Sequence, residues 1–83
     1  MVGLYQEVIQ MTAYQGHRSW NAWNISLWIN NDEGLYSWAW GLVQDHGRRT
    51  AARIITRELE GTSTPDGGKY NFTCIYEALE GYL

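Results

Sequence analysis

Aromatic side chains set the first limit on how this chain can fold, because it has five Trp, six Tyr and one Phe among 83 residues. Each buried aromatic side chain removes about 150–250 Å² from water. Twelve of them would bury roughly 1,800–3,000 Å², a large share of what a domain of this length buries. Either they form most of the core, which is the expectation for any single one, or some stay outside as a contact surface.

Length and composition predict one folded domain spanning residues 1–83. Charged residues make up 18% of the chain and hydrophobic residues 45%, a balance that excludes a disordered tail. The net charge of −3 argues against non-specific nucleic-acid binding, so nucleic acid is not an expected partner. Neither a membrane span nor a secretion signal is visible, and we expect a cytoplasmic protein without membrane contact.

The segment 20–30 is compatible with two structures. As a helix it is apolar around most of its circumference, which is typical of a buried central helix or of one that offers a second face to a partner. As a strand, Trp23, Ile25, Leu27 and Ile29 alternate with polar residues, and residues 20–43 would form a Trp-rich hairpin. Periodicity alone leaves both open.

The rest of the chain favours helices, and the predicted fold is all-α, a small bundle of about four short helices, with the α+β hairpin as the alternative. A Gly-rich loop with Pro65 occupies 61–70. Residues 2–14 carry a helical stripe that is also compatible with a strand. The remaining predicted helices are 32–46 after a cap at Asn31 or Asp32 and ending at Gly47, 48–60 with an inner face of Ala51, Ala52, Ile55 and Leu59, and 74–82 capped by Thr73.

A motif in the first half of the chain resembles small, uncharacterised proteins of tailed phages. Those proteins share a W-N-x-x-L-W-I-x-N-D-E-G-L-Y type of pattern and often end with a Pro-Asp-Gly loop and a short acidic helix. The resemblance covers residues 14–83, implies helix after the N-D-E-G segment and makes 1–13 an N-terminal extension; it implies no activity. The matching positions are Trp20, Trp23, Asn24, Ile25, Leu27, Trp28, Ile29, Asn31, Asp32, Gly34, Leu35 and Tyr36, with Pro65, Asp66 and Gly67 downstream.

Several tryptophans are candidates for partner or ligand contact. Trp38 and Trp40 lie about 200° apart on a helix, so both cannot face one core and one of them must point elsewhere. Aromatic residues dominate binding hot spots and stack on bases. The candidates are Trp20, Trp28, Trp38 and Trp40.

Arginines recur along one predicted helix. Arg49, Arg53 and Arg57 are spaced four residues apart and therefore share one face. Guanidinium groups bind oxyanions bidentately, so this face is a candidate anion site. The alternative is a solvated face in which Asp45 pairs with Arg49 and Glu60 with Arg57.

Patterns for catalysis, a cofactor or a metal are weak. The two histidines and nearby acidic residues lack a metal-ligand spacing. Cys74 has no nucleophile motif around it and is expected to be a small buried apolar residue. We therefore expect no enzyme, no cofactor and no metal site.

Two functions follow from these observations. The leading hypothesis is a small phage-encoded interaction protein that binds a host protein, of the defence or takeover kind, and inhibits it by occlusion. The alternative is a protein that binds or sequesters a nucleotide or another small ligand in a Trp-walled pocket beside the arginines, within a homo-oligomer.

Overall fold

The computed structural model describes residue 17 and residues 19–82. This part of the chain folds into four α-helices: α1 (Trp20–Asn31), α2 (Glu33–His46), α3 (Arg48–Leu59) and α4 (Phe72–Ala78). The all-α prediction is confirmed, and the hairpin alternative for 20–43 is wrong because both of its halves are helical. The predicted element at 2–14 and the extension 1–13 lie outside the described residues.

Local hydrogen bonds explain why α1 is a helix. The Ser19 hydroxyl caps its first turn by accepting from the Ala22 N–H at 3.1 Å, as a serine N-cap does. Its core-facing residues Ala22, Ile25 and Ile29 follow the helical period of three to four,. The alternating apolar pattern is therefore split between two faces of the helix.

Single residues join the first three helices. The Asp32 N–H donates to the Trp28 carbonyl at 3.0 Å and ends α1, while its carboxylate accepts from the Leu35 N–H at 2.9 Å and caps α2. Gly47 joins α2 to α3 with a φ of 89°, a conformation that favours glycine. The predicted boundaries at Asp32 and Gly47 are thus confirmed.

The helices pack as a ring in which α1 contacts α2, α2 contacts α3, α3 contacts α4, and α4 closes on α1. The largest fully buried side chains are Ile25, Ile29, Ile55, Ile75, Leu79, Val43 and Asn24. Among the described aromatic residues only Tyr82 is fully buried, four others pack against the core while partly exposed, and Trp20, Tyr36 and Trp40 are exposed, so aliphatic side chains form the centre of the core. Single-residue corners bring the helices close, and alanine and aliphatic side chains fill the space.

The last helix begins earlier than the sequence suggested. Asn71, and not Thr73, is the N-cap of α4, and its Oδ1 accepts from the Cys74 N–H at 2.9 Å. The helix ends at Ala78, so the predicted range of 74–82 is wrong at both ends, although Ile75, Leu79 and Tyr82 do point inward. No helix in the described range is long and apolar enough to cross a membrane.

Candidate functional site

The helix α1 has two apolar faces. Its inner face is the core set Ala22, Ile25 and Ile29, each at most 1% exposed. On the other side lie Trp20, Trp23 and Leu27, which we call the outer face of α1. Trp20 is 38% exposed, and the other two are half-buried. A helix that leaves a second apolar face exposed therefore describes α1 better than a fully buried central helix.

Trp28 is held in place by the loop between α3 and α4. Its indole Nε1–H donates to the Asp66 carboxylate at 2.9 Å. Because this polar group is already satisfied, a ligand or partner meets mainly the ring of Trp28. That ring lines an open groove of about 300 Å³ together with Leu27, Asn31 and Asp32.

The same loop is fastened to α1 by asparagine side chains. Asn21 forms two bonds with the backbone of Lys69, accepting from its N–H at 2.6 Å and donating to its carbonyl at 2.8 Å. Asn24 donates to Asp66 at 3.0 Å and accepts from the Thr64 hydroxyl at 2.6 Å. The Trp-Asn motif and the Pro-Asp-Gly turn are therefore parts of one contact.

Asp66 is the acceptor at the centre of this contact. Hydrogen bonds from Asn24, and then from Trp28, lower the pKa of its carboxyl below the usual value of 3.8. Hydrogen bonds to the charged form of an acid favour ionisation. The carboxylate thus fixes the orientation of the Trp28 ring, and we assign it a positioning role.

The two tryptophans of α2 point in different directions, as their spacing predicts. Trp38 packs against the core, whereas Trp40 is 46% exposed. Tyr36, one turn before Trp40, is also exposed, and its ring centroid lies 5.4 Å from that of Tyr82. The exposed side of α2 near Trp40 otherwise carries polar residues, Glu33, Ser37 and Gln44.

The arginine run divides into one structural residue and three exposed ones. The Arg48 guanidinium lies 3.9 Å from the centroid of the Tyr76 ring, and its Nε–H donates to the Tyr76 carbonyl at 2.8 Å. Arg49, Arg53 and Arg57 are exposed along one side of α3. Arg49 also reaches the Tyr76 ring, at 5.5 Å.

The ion pairs Asp45–Arg49 and Arg57–Glu60, expected of a solvated face, are not formed. Within the described part of the chain, the contact between a basic and an acidic side chain closer than 4.0 Å joins His17 Nδ1 to Glu77 at 3.6 Å. Arg49, Arg53 and Arg57 have no carboxylate of these residues within that distance. Their guanidinium groups are therefore available to an anion from outside.

A second groove, of about 400 Å³, opens beside two of these arginines. It is lined by Arg53, Thr56, Arg57, Glu60 and Phe72. The aromatic wall beside the arginines is thus Phe72 rather than a tryptophan, and Trp28 lines a different groove. Sequence reasoning missed Phe72 because it placed the start of α4 at residue 74; the spacing of Phe72 and Tyr76 by four residues was the available signal.

Within the part of the chain that the structure describes, the other titratable side chains do not form a metal-binding cluster. Cys74 is buried, and its Sγ accepts a weak hydrogen bond from Asn21 at 3.4 Å. His46 is the last residue of α2. Across residues 17 and 19–82, no three His, Cys, Asp or Glu side chains come close enough to hold a metal ion.

Comparison with protein-family models matches residues 10–80 to a family of unknown function, DUF7249. No curated protein matches the chain. No solved structure matches it either.

Proposed function

We propose that this chain, which belongs to the DUF7249 family of unknown function, is an interaction module that binds another protein through the outer face of α1. One observation carries the proposal. The twelve residues of α1 include no charged side chain, although the helix lies at the surface with Trp20 38% exposed. A surface helix that packs on one side only normally places charged residues on its other side.

The composition of the outer face is that of an interface core. Charged residues are depleted at the centres of protein–protein interfaces, and tryptophan is enriched there. Trp20, Trp23 and Leu27 supply such a surface in adjacent turns of α1. Contiguous apolar patches are rare on proteins that act alone, which supports a protein partner for this one.

The groove at the end of α1 suggests what the partner presents. Its walls are the apolar side chains of Leu27 and Trp28, and its other lining residues are Asn31 and Asp32. This arrangement suits an apolar side chain of the partner, flanked by a lysine or an arginine that meets the carboxylate. The resemblance to tailed-phage proteins supports a bacterial host protein as the partner, with steric occlusion as the mechanism.

Affinity capture from a bacterial lysate with matched tryptophan variants tests the proposal. We expect the wild-type chain to retain one defined protein in a stoichiometric complex. Trp20→Glu should weaken this complex at least about 30-fold, as loss of a hot-spot residue does. Trp40→Glu is the control, because Trp40 is the more exposed of the two and lies on a different helix.

Circular dichroism of both variants separates a binding defect from unfolding. Absence of a stoichiometric partner would refute the proposal, as would equal capture by the wild-type chain and Trp20→Glu. Loss of capture with Trp40→Glu alone would move the contact surface to α2 and refute the assignment to α1.

A further inference from the structure

A column of stacked groups runs along α4 and ends at the groove beside the arginines. The Phe72 and Tyr76 rings are nearly parallel, with 16° between their planes and 5.6 Å between their centroids. Tyr76 is in turn covered by the guanidinium of Arg48 at 3.9 Å. Phe72 is half-buried and lines the groove. The Tyr76 contact holds the Phe72 ring in a fixed orientation, so it can act as a platform for a planar group.

Arg53 and Arg57 form the cationic side of the groove, where an oxyanion can bind,. Arg53 and Arg57 are one helical turn apart, so their side chains are neighbours on the surface. Neither forms an ion pair with a carboxylate of the described residues. Two adjacent guanidinium forks can bind one phosphate group from two sides. The hydroxyl proton of Thr56 is donated to the Ala52 carbonyl at 2.7 Å, so it is not available to a ligand.

Glu60 limits which ligands are suited to the groove. Its carboxylate lines the same groove and repels a phosphate group placed beside it. It accepts hydrogen bonds from hydroxyl or amino groups, which sulfate does not offer at neutral pH and inorganic phosphate offers only through its own P–OH groups. A ligand that fits all the lining residues has an anionic end, a planar ring and hydrogen-bond donors between or beside them.

We propose that this groove binds a ribonucleoside monophosphate, independently of the protein-binding face of α1. The phosphate lies between Arg53 and Arg57, the base stacks on Phe72, and the ribose hydroxyl groups donate to Glu60. The groove is open and has a volume of about 400 Å³, so a ligand bound there stays partly exposed to solvent. Because α3 and α4 form the groove, it stays intact when the outer face of α1 is changed.

Equilibrium titration of the full chain with AMP, followed by ligand-observed NMR, tests the proposal. We expect saturable binding of one AMP per chain. Arg53→Gln and Arg57→Gln should each weaken it at least tenfold, whereas Arg49→Gln, one turn away and outside the groove lining, should leave it within twofold,. Phe72→Leu should weaken AMP about tenfold but leave inorganic phosphate unchanged, since only AMP has a base to stack.

Three results would overturn the proposal. The first is no saturable AMP binding by the folded wild-type chain. The second is equal affinity for AMP and inorganic phosphate, which indicates a simple anion site. The third is an equal loss in Arg49→Gln and Arg53→Gln, which indicates diffuse charge without a built site. The Trp20→Glu variant should bind AMP normally, so this test and that of the protein partner fail separately.

Discussion

Replacing Asn24 with alanine should remove two hydrogen bonds between α1 and the loop that joins α3 to α4. Asn24 is 1% exposed, and its Oδ1 accepts from the Thr64 hydroxyl at 2.6 Å. Thr64 is itself 4% exposed. When the amide oxygen is removed, the hydroxyl proton of Thr64 therefore has neither its acceptor nor water. The second bond of Asn24, to the Asp66 carboxylate, is less costly to lose because that carboxylate can turn to solvent.

The expected loss follows from the buried hydroxyl. A buried polar group without a partner costs about 1–3 kcal/mol, and the volume left by the amide adds to it. We expect Asn24→Ala to lower the free energy of unfolding by about 2–3 kcal/mol. For a domain of this length each kcal/mol lowers Tm by about 4–8 °C, so Tm should fall by roughly 8–24 °C.

Thermal unfolding followed by circular dichroism measures this effect. Asn31→Ala is the matched control, because Asn31 is exposed and donates only to the Leu27 carbonyl of its own helix. Its stability should stay within about 0.5 kcal/mol of the wild type. Asn24→Asp gives an independent readout, since it places a second carboxylate beside Asp66 and should recover stability as the pH falls towards about 4. If Asn24→Ala and Asn31→Ala unfold at the same temperature, the stabilising role of the bond between Asn24 and Thr64 is refuted.

Three further predictions concern pH and glycine. The pKa of Asp66 is lowered in the folded chain, so the stabilisation from its carboxylate is present above pH 3.8, the ordinary pKa, and is lost at lower pH,. Asp66→Asn should flatten this loss when stability is measured against pH in acid, and an unchanged profile would contradict the role assigned to Asp66. Burial, followed by the nearby Tyr36, raises the pKa of Tyr82 from 10.0 to about 12; stability should therefore fall between pH 10 and about 12, and Tyr82→Phe should remove that part of the loss in alkaline unfolding curves. Neither Gly41 nor Gly47 has an atom within 4 Å of an added Cβ, but only Gly47 has a positive φ. In urea unfolding, Gly41→Ala should gain about 0.5–1 kcal/mol and Gly47→Ala should lose about 1–3 kcal/mol, and equal signs would contradict this account.

Local signals in the sequence were sufficient for most of the fold. The cap at Asp32 and the stop at Gly47 act through neighbouring residues, so they can be recognised in a single chain. Asn71 was missed because Thr73 is also a good N-cap residue. Both residue types accept from a backbone N–H in the first turn, so the sequence alone does not say where α4 begins.

The candidate sites were less accessible to sequence reasoning. The opposite orientations of Trp38 and Trp40 follow from helical geometry and are confirmed,. The bond between Trp28 and Asp66 joins residues 38 positions apart, and neither residue signals the other. The groove beside Arg53 likewise needs Phe72 from another helix. Such contacts between residues far apart in the sequence can be identified only from the tertiary structure.

The closure of the ring by α4 on α1 also determines how the chain can fold during synthesis. Part of the surface of α1 is covered by α4 and by the loop before it, and these residues leave the ribosome about forty positions after α1 does. During that interval α2 can cover one side of α1, but the rest of its apolar surface stays exposed and the helix has no charge to keep it apart from other chains. Such exposed surface promotes aggregation of folding intermediates. The lack of charge on α1, which supports the proposed partner contact, therefore also leaves the nascent helix prone to aggregation until α4 is in place.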